Sequence, residues 1–263
     1  MTGTVRVRRP SRPGIRAWFA LAGAEMKMVV RDTAGLVIPI GLPLLILVMN
    51  GLGVSGPGNV VLPGTGGLTV FDVHVMPLVL TTVVATIGVV NMPSFLAHYR
   101  KAGVLKRLAV TPAHPAMVLA AQVITSVVQS AVGIALALGA AAAFFDAGLP
   151  RSPGLALGVS ALAALAMYAL GIVIAALAPS GNASVAIGLV AFFAMGAAGG
   201  LFGSAQNLPE PVARVGEVLP FGAAMQAVGA AWAGNTPEPV HLLSLAATLV
   251  AGGALAARFF RWQ

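Results

Sequence analysis

Six long apolar runs constrain this chain more than any other feature of its sequence. Each run is bounded by proline, glycine or charge, and they lie at residues 34–53, 73–96, 116–145, 155–178, 185–203 and 239–257. About 20 apolar residues in a helix cross roughly 30 Å of hydrocarbon, and a helix satisfies its own backbone groups there. Because 58% of the residues are hydrophobic and only 8% are charged, we predict an all-α membrane protein with six transmembrane helices.

The segment before the first run is basic and amphipathic. Apolar side chains recur there at helical spacing, at Ile15, Trp18, Phe19, Ala22, Met26 and Val29. This pattern predicts an interfacial helix that lies along the membrane. We therefore expect a single membrane domain, in which residues 1–33 form a basic arm and the interfacial helix, 34–257 the six-helix part, and 258–263 a tail.

The basic residues predict the orientation of the chain. If six crossings place both termini on one side, thirteen of the fifteen Lys and Arg residues lie on that side. Only Arg151 and Arg214 lie on the other. Short loops rich in Lys and Arg stay in the cytoplasm, so both termini are predicted to be cytoplasmic and the protein to reside in a bacterial inner membrane.

Several kinds of chemistry are excluded by what the sequence lacks. The predicted spans carry no ionisable residue near their middle, which argues against ion-coupled transport. None of the three lysines follows the glycine pattern of a phosphate-binding loop, so any nucleotide hydrolysis requires another polypeptide. There is no cysteine, and no cofactor or metal site is predicted. The formal charge of +8 does not indicate nucleic-acid binding, because no soluble basic module is present.

An intramembrane serine protease is an alternative from a different functional class. It would need a serine and a histidine that meet inside the bundle. Ser184 and His241 are the two candidates, and the predicted topology places them near opposite membrane surfaces.

Polar residues inside the spans are candidates for contact with a transported substrate. They are Asn91 on the second span and Gln122, Ser126 and Gln129 on the third. The three on the third span follow one helical face at i, i+4 and i+7. In membranes such groups also hydrogen-bond neighbouring helices, so both interpretations stay open at this point.

The second cytoplasmic loop, residues 99–115, combines basic residues with leucines and stops at Pro112. It predicts a short helix that either only fixes topology or contacts a partner. The loop resembles the coupling segment of type-2 ABC exporter permeases, in which an aromatic residue, arginine, glycine, leucines and Thr-Pro follow in order. The matching residues are Tyr99, Arg100, Gly103, Leu105, Lys106, Arg107, Leu108, Thr111 and Pro112. Lys101 stands where the family commonly has glutamate.

Two further segments resemble the same family. The first runs from Glu25 through Arg31-Asp32 to Pro39 and Pro43, as in the family's entry helix and proline-bearing first span. The second, residues 199–221, is similar to the family's external re-entrant region before the last span. Gly196 and Gly200, and Gly199 and Gly203, are spaced for close helix packing, either within the chain or between two copies.

The resemblance implies a permease subunit that binds two soluble ATPase subunits and a second, identical permease chain. ATP and Mg would then bind to the ATPase, and the coupling residues would be Tyr99, Arg100, Lys101, Gly103, Leu105, Lys106, Arg107 and Leu108. The short chain is most similar to permeases of the daunorubicin-resistance type, which implies efflux of an apolar or amphiphilic drug. Export of a lipid or a polysaccharide by the same class is the alternative.

Overall fold

A computed structural model describes residues 15–54, 59–101, 116–203 and 208–259. These ranges contain nine helices and no strand, apart from an isolated bridge between Val61 and Thr69. The helices are α1 (Ile15–Arg31), α2 (Thr33–Val54), α3 (residues 71–101), α4 (Ala116–Phe145), α5 (Pro153–Leu177), α6 (Gly181–Ala198), α7 (Glu210–Val218), α8 (Pro220–Ala233) and α9 (Pro239–Phe259). Six of them, α2 to α6 and α9, are long and apolar enough to cross a membrane, which confirms the predicted all-α membrane fold.

The observed spans follow the predicted runs closely except for the fifth. That span was predicted at 185–203, whereas α6 occupies Gly181–Ala198. Its start is fixed by Ser180, whose hydroxyl accepts a hydrogen bond from the Ala183 amide at 3.1 Å, as expected of an N-cap. Its end is fixed by Gly200, which has a φ of 95° and so cannot continue a right-handed helix.

The long helix α3 forms the centre of the bundle and is almost entirely buried. It is not a uniform α-helix, because the segments Phe71–Val75 and Thr86–Asn91 are π-helical. Each π-helical segment lies just before a proline, at Pro77 and Pro93. Proline supplies no N–H and its ring collides with the carbonyl four residues earlier, so widening the preceding turn relieves the collision.

Glycines let two neighbouring helices approach the second π-helical segment closely. A Cβ atom added to Gly171 of α5 would lie 1.9 Å from the carbonyl oxygen of Gly88. One added to Gly188 of α6 would lie 2.4 Å from the carbonyl oxygen of Val89. At both positions the partner atom belongs to the backbone, so the spacing of these three helices depends on the missing side chains.

The predicted re-entrant segment corresponds to the two short helices α7 and α8. α8 is buried along most of its length and packs on α3, α5 and α9. In its first turn, the ring of Phe221 meets that of Phe192 edge to face at 6.0 Å. Ala223 and Ala224 then pack against Ala163 and Ala166. The turn between α7 and α8 lies near the end of α6, where Gly222 approaches Gly199, and near the first part of α9, where the Ser244 hydroxyl donates to the Val218 carbonyl.

The helix α7 meets α6 through its backbone. Helical spacing in the sequence places Leu208, Val212, Val215 and Leu219 on one face, which predicts that this face is half-buried. Val212 and Val215 are 42% and 54% exposed, whereas the buried residue of this helix is Gly216. A Cβ atom at Gly216 would lie 1.9 Å from the carbonyl oxygen of Ala198, so α7 meets α6 through backbone contact.

The glycine spacing predicted for the fifth span is also different in the structure. Gly200 and Gly203 both have positive φ and lie after the end of α6, so the two pairs do not form a helical stripe. Gly199 instead approaches Gly222 of α8, with an added Cβ atom 2.9 Å from the Gly222 Cα. Gly196, which lies against Leu201, and Gly199 are therefore packed against other residues of the same chain.

Asp72 ties three chain segments together at the end of the bundle where α3 begins. One of its carboxylate oxygens accepts the Gly148 amide at 2.6 Å, and the other accepts the Thr69 amide at 2.8 Å. The Trp232 indole donates to the carbonyl of the same Gly148 at 3.3 Å. Burial of this carboxylate, which is 3% exposed, is compensated by these donors.

Candidate functional site

The predicted coupling loop is described only where it leaves α3. Tyr99 has a described side chain, and Arg100 and Lys101 are described as the last residues of the helix. Gly103, Leu105, Lys106, Arg107 and Leu108 lie outside the described residues. At the start of this loop, the contacts of Tyr99 are therefore the described feature.

Tyr99 connects the end of α3 to α1. Its hydroxyl donates a hydrogen bond to Glu25 Oε2 at 2.7 Å and lies 3.3 Å from the sulfur of Met28. Close to this contact, the Tyr99 ring packs in one apolar cluster with Leu21 and Val118. α1 is thereby attached to the residues from which the predicted coupling loop departs.

Glu25 is a residue whose role sequence reasoning missed. It is 5% exposed and shares a buried face of α1 with Ala22 and Val29. Burial raises the pKa of the Glu25 carboxyl above its ordinary value of 4.5, and the hydrogen bond from Tyr99 opposes that shift. The signal was present in the sequence, since residues 22, 25 and 29 recur at helical spacing and an acid stands among apolar residues.

The contact predicts a pH-dependent stability. Because the pKa of Glu25 is raised on folding, its contribution to stability is complete below the ordinary pKa and declines as the pH rises through the raised value. Relative to Glu25→Gln, the wild-type chain should therefore lose thermal stability as the pH rises above the ordinary pKa of a glutamate. Tyr99→Phe removes the donor that compensates the buried carboxylate, so this variant should lose more thermal stability than the wild type as the pH rises. Unfolding midpoints in detergent measure the difference, and parallel pH profiles for all three chains would contradict it.

Two of the predicted pathway residues form a junction between three helices. Asn91 Nδ2 donates to Gly35 O at 3.1 Å and to Gln129 Oε1 at 3.0 Å, and Gln129 Nε2 donates to Gly35 O at 2.8 Å. The carbonyl of Gly35 is available because the residue four positions later in α2 is Pro39, which has no N–H. The amides thus occupy an acceptor that the helix cannot use itself.

The other two predicted pathway residues are buried without forming such a junction. Ser126 is 1% exposed, and its backbone carbonyl accepts the Tyr168 hydroxyl at 3.0 Å. Gln122 is 2% exposed, and its Oε1 has no hydrogen-bond partner in the described part of the chain. Asn91 also lines a small cavity of about 70 Å³ beside Gly35. A role in substrate contact stays a prediction for all four residues.

The serine and histidine considered for a protease do not meet. Ser184 is near the start of α6, where Gly181 lies against His98, and His241 is near the start of α9, where it lines a cavity with Val73. Val73 and His98 mark opposite ends of α3, which are separated by about 38 Å at 1.5 Å per residue. No nucleophile and base pair can form between these residues.

Comparison with known proteins agrees with this architecture. Residues 16–231 match the ABC-2 type transporter family, which is most of the chain. A search of curated proteins gave no match. The matched region includes α1, which is joined to α3 through Glu25 and Tyr99. It also includes five of the six membrane-spanning helices and the pair α7 and α8. The chain therefore belongs to the ABC-2 type transporter family and is a multi-pass membrane permease subunit that works with an ATPase subunit.

Proposed function

We propose that this chain is the membrane-spanning subunit of an exporter that moves an apolar or amphiphilic substrate, such as a drug, antibiotic or lipid, out of the cytoplasm or inner leaflet. The observation that carries the proposal is the family match over residues 16–231. An uncharged interior supports the substrate class: among the described residues, the middle thirds of the spans contain no Asp, Glu, Lys or Arg. A charged cargo would need compensation there, since a charge at the bilayer centre costs about 2.5–3.5 kcal/mol.

The proposed mechanism rests on the predicted cytoplasmic position of the loop that follows α3. Two ATPase subunits would bind ATP and Mg, close on each other and push the loops of two identical permease chains. Residues from Tyr99 to Leu108 would receive that movement. Because Tyr99 is hydrogen-bonded to Glu25, the push would reach α1 together with α3. This chain would do no bond chemistry.

Among exporters of this class, the daunorubicin-resistance type is favoured over polysaccharide carriers. Polysaccharide carriers tend to line their path with aromatic residues, and only 6% of this chain is aromatic. Export of a lipid remains the second candidate, because a lipid is also amphiphilic.

Co-expression with a soluble ABC ATPase encoded beside the gene tests the proposal. The expected results are co-purification of the two proteins and ATP hydrolysis that increases when an amphiphilic drug is added to the reconstituted complex. The purified chain alone should hydrolyse no ATP, because it lacks a phosphate-binding loop. Hydrolysis by the chain alone, or failure to bind any ATPase encoded with it, would count against the assignment.

The proposed orientation predicts where single cysteines react. The natural chain has no cysteine, so Glu210→Cys on α7 and Ala102→Cys in the predicted coupling loop each introduce one thiol. A membrane-impermeant maleimide should label position 210 in intact cells and position 102 only after the membrane is opened. The reverse pattern would invert the topology.

A further inference from the structure

A long groove separates α4 from α5 on the outer surface of the bundle. These consecutive helices both pack on α3, but their backbones stay apart along most of their length. The part of the groove near the middle of the bundle has a volume of about 420 Å³, and the part toward the loop between the two helices has about 330 Å³. The two parts are continuous, since they share four lining residues, Ile134, Leu138, Leu157 and Ser160.

The lining of the groove is aliphatic. Leu80 and Val84 of α3 lie at its floor, and alanine, leucine, isoleucine and valine side chains form the walls. At the inner end lie Tyr168 and Ser130, which are 2% and 4% exposed. Their hydroxyls are hydrogen-bonded to each other at 2.6 Å, and that of Tyr168 also donates to the Ser126 carbonyl. The polar atoms at this end therefore need no partner from an occupant.

The dimensions and position of the groove point to one kind of occupant. On α5 it runs from Pro153 to Tyr168, which is about 22 Å at 1.5 Å per residue. It therefore extends from one end of the bundle to about its middle, a length comparable to one leaflet of a bilayer whose hydrocarbon is about 30 Å thick. Its rim is formed by exposed apolar residues, among them Val127, Leu157 and Leu165. Water has no place in an apolar groove at this depth, and an empty groove would lose the contacts of its lining.

We propose that the groove between α4 and α5 binds one acyl chain of a bilayer phospholipid. The acyl chain enters the groove beside Pro150 and Pro153, and its end lies near Tyr168. Bound lipid fills the gap between two helices that contact each other through the Tyr168 hydroxyl at the inner end of the groove and whose backbones otherwise stay apart.

Trp232 provides a direct probe, because it lines the groove and is otherwise buried at 3% exposure. The chain has two other tryptophans, Trp18 and Trp262, which are replaced by phenylalanine for the experiment. The full chain is reconstituted in phosphatidylcholine vesicles with or without two bromine atoms on one acyl chain. Bromine quenches indole emission over a short distance, so Trp232 should lose the larger part of its emission in the brominated vesicles.

Substitutions that fill the groove distinguish lipid bound in the groove from lipid that only touches the outer surface of the protein. Ser160 lines both parts of the groove, so Ser160→Phe should abolish the quenching and Ser160→Leu should reduce it partly. Gly158→Phe on the same helix is the matched control, since a Cβ atom there meets nothing within 4 Å, and it should leave the quenching unchanged. Equal emission in both kinds of vesicle, as expected if a second copy of the chain covered the groove, would overturn the proposal. Undiminished quenching in the folded leucine variant would overturn it as well.

Discussion

Replacing Gly171 by alanine is expected to lower the thermal unfolding midpoint by about 6–12 °C, because overpacking costs up to about 3 kcal/mol and a chain of this size loses about 2–4 °C per kcal/mol. The added methyl group would lie 1.9 Å from the carbonyl oxygen of Gly88. A backbone atom in a buried helix cannot rotate away, so α3 and α5 must separate. The unfolding midpoint in detergent and the amount of folded protein in the membrane both report the change.

Gly158→Ala is the control for this prediction, because it lies on the same helix and its added methyl group meets nothing within 4 Å. Alanine favours a helix over glycine by about 1 kcal/mol, so this variant should be at least as stable as the wild type. If Gly171→Ala and Gly158→Ala unfold at the same temperature, the close approach of α3 and α5 is not a feature of the folded protein.

Replacing both Leu105 and Leu108 by alanine is expected to abolish transport in the assembled exporter. If these leucines insert into a groove of the ATPase, their loss removes two apolar anchors and costs about 3 kcal/mol, or roughly 100-fold in affinity. Co-purification of the ATPase and transport by the reconstituted complex should fall together. This prediction rests on the proposed function, since both leucines lie outside the described residues.

Charge removal in the same loop provides the comparison. Arg100→Gln and Arg107→Gln should weaken the complex much less, because exposed ion pairs are worth about 1 kcal/mol or less. If the loop only fixed topology, the opposite would hold: the double alanine variant would transport normally and the loss of basic residues would disturb insertion. A correctly inserted double alanine variant with full ATPase binding and full transport would rule out the loop as the coupling element.

The spans could be predicted because a helix surrounded by the hydrocarbon of a bilayer must be apolar along its length, and hydropathy measures this property directly. Five of the six predicted runs agree with the structure to within a few residues at each end. The fifth run was predicted four to five residues too late, because its helix begins with the weakly hydrophobic segment 181–184 and ends at a glycine-rich turn that is itself apolar. Capping by Ser180 was the better guide there. Hydropathy also gave no warning of the π-helical turns of α3, although each precedes a proline.

The candidate site could be predicted only in part, because contacts between distant residues leave little trace in a single sequence. Asn91 and Gln129 were recognised as polar residues inside spans, but their shared acceptor is a backbone carbonyl 56 and 94 residues away in the chain. Glu25 was recognised only as part of a family resemblance. Its bond to Tyr99 spans 74 residues, and nothing local to either residue predicts that particular pairing.

The carbonyl of Gly35 has a consequence for how sequence variation in this chain can be tolerated. Residue 39 is a proline and leaves this carbonyl without a helical N–H partner, so the phenotype of any change at Asn91 or Gln129 depends on what stands at position 39. A residue with an N–H at position 39 would donate to the Gly35 carbonyl within α2. That N–H would then compete with the side-chain amides of Asn91 and Gln129 for the same acceptor. Positions 39, 91 and 129 thus form one unit of epistasis, in which single substitutions are costly and compensation requires coordinated change.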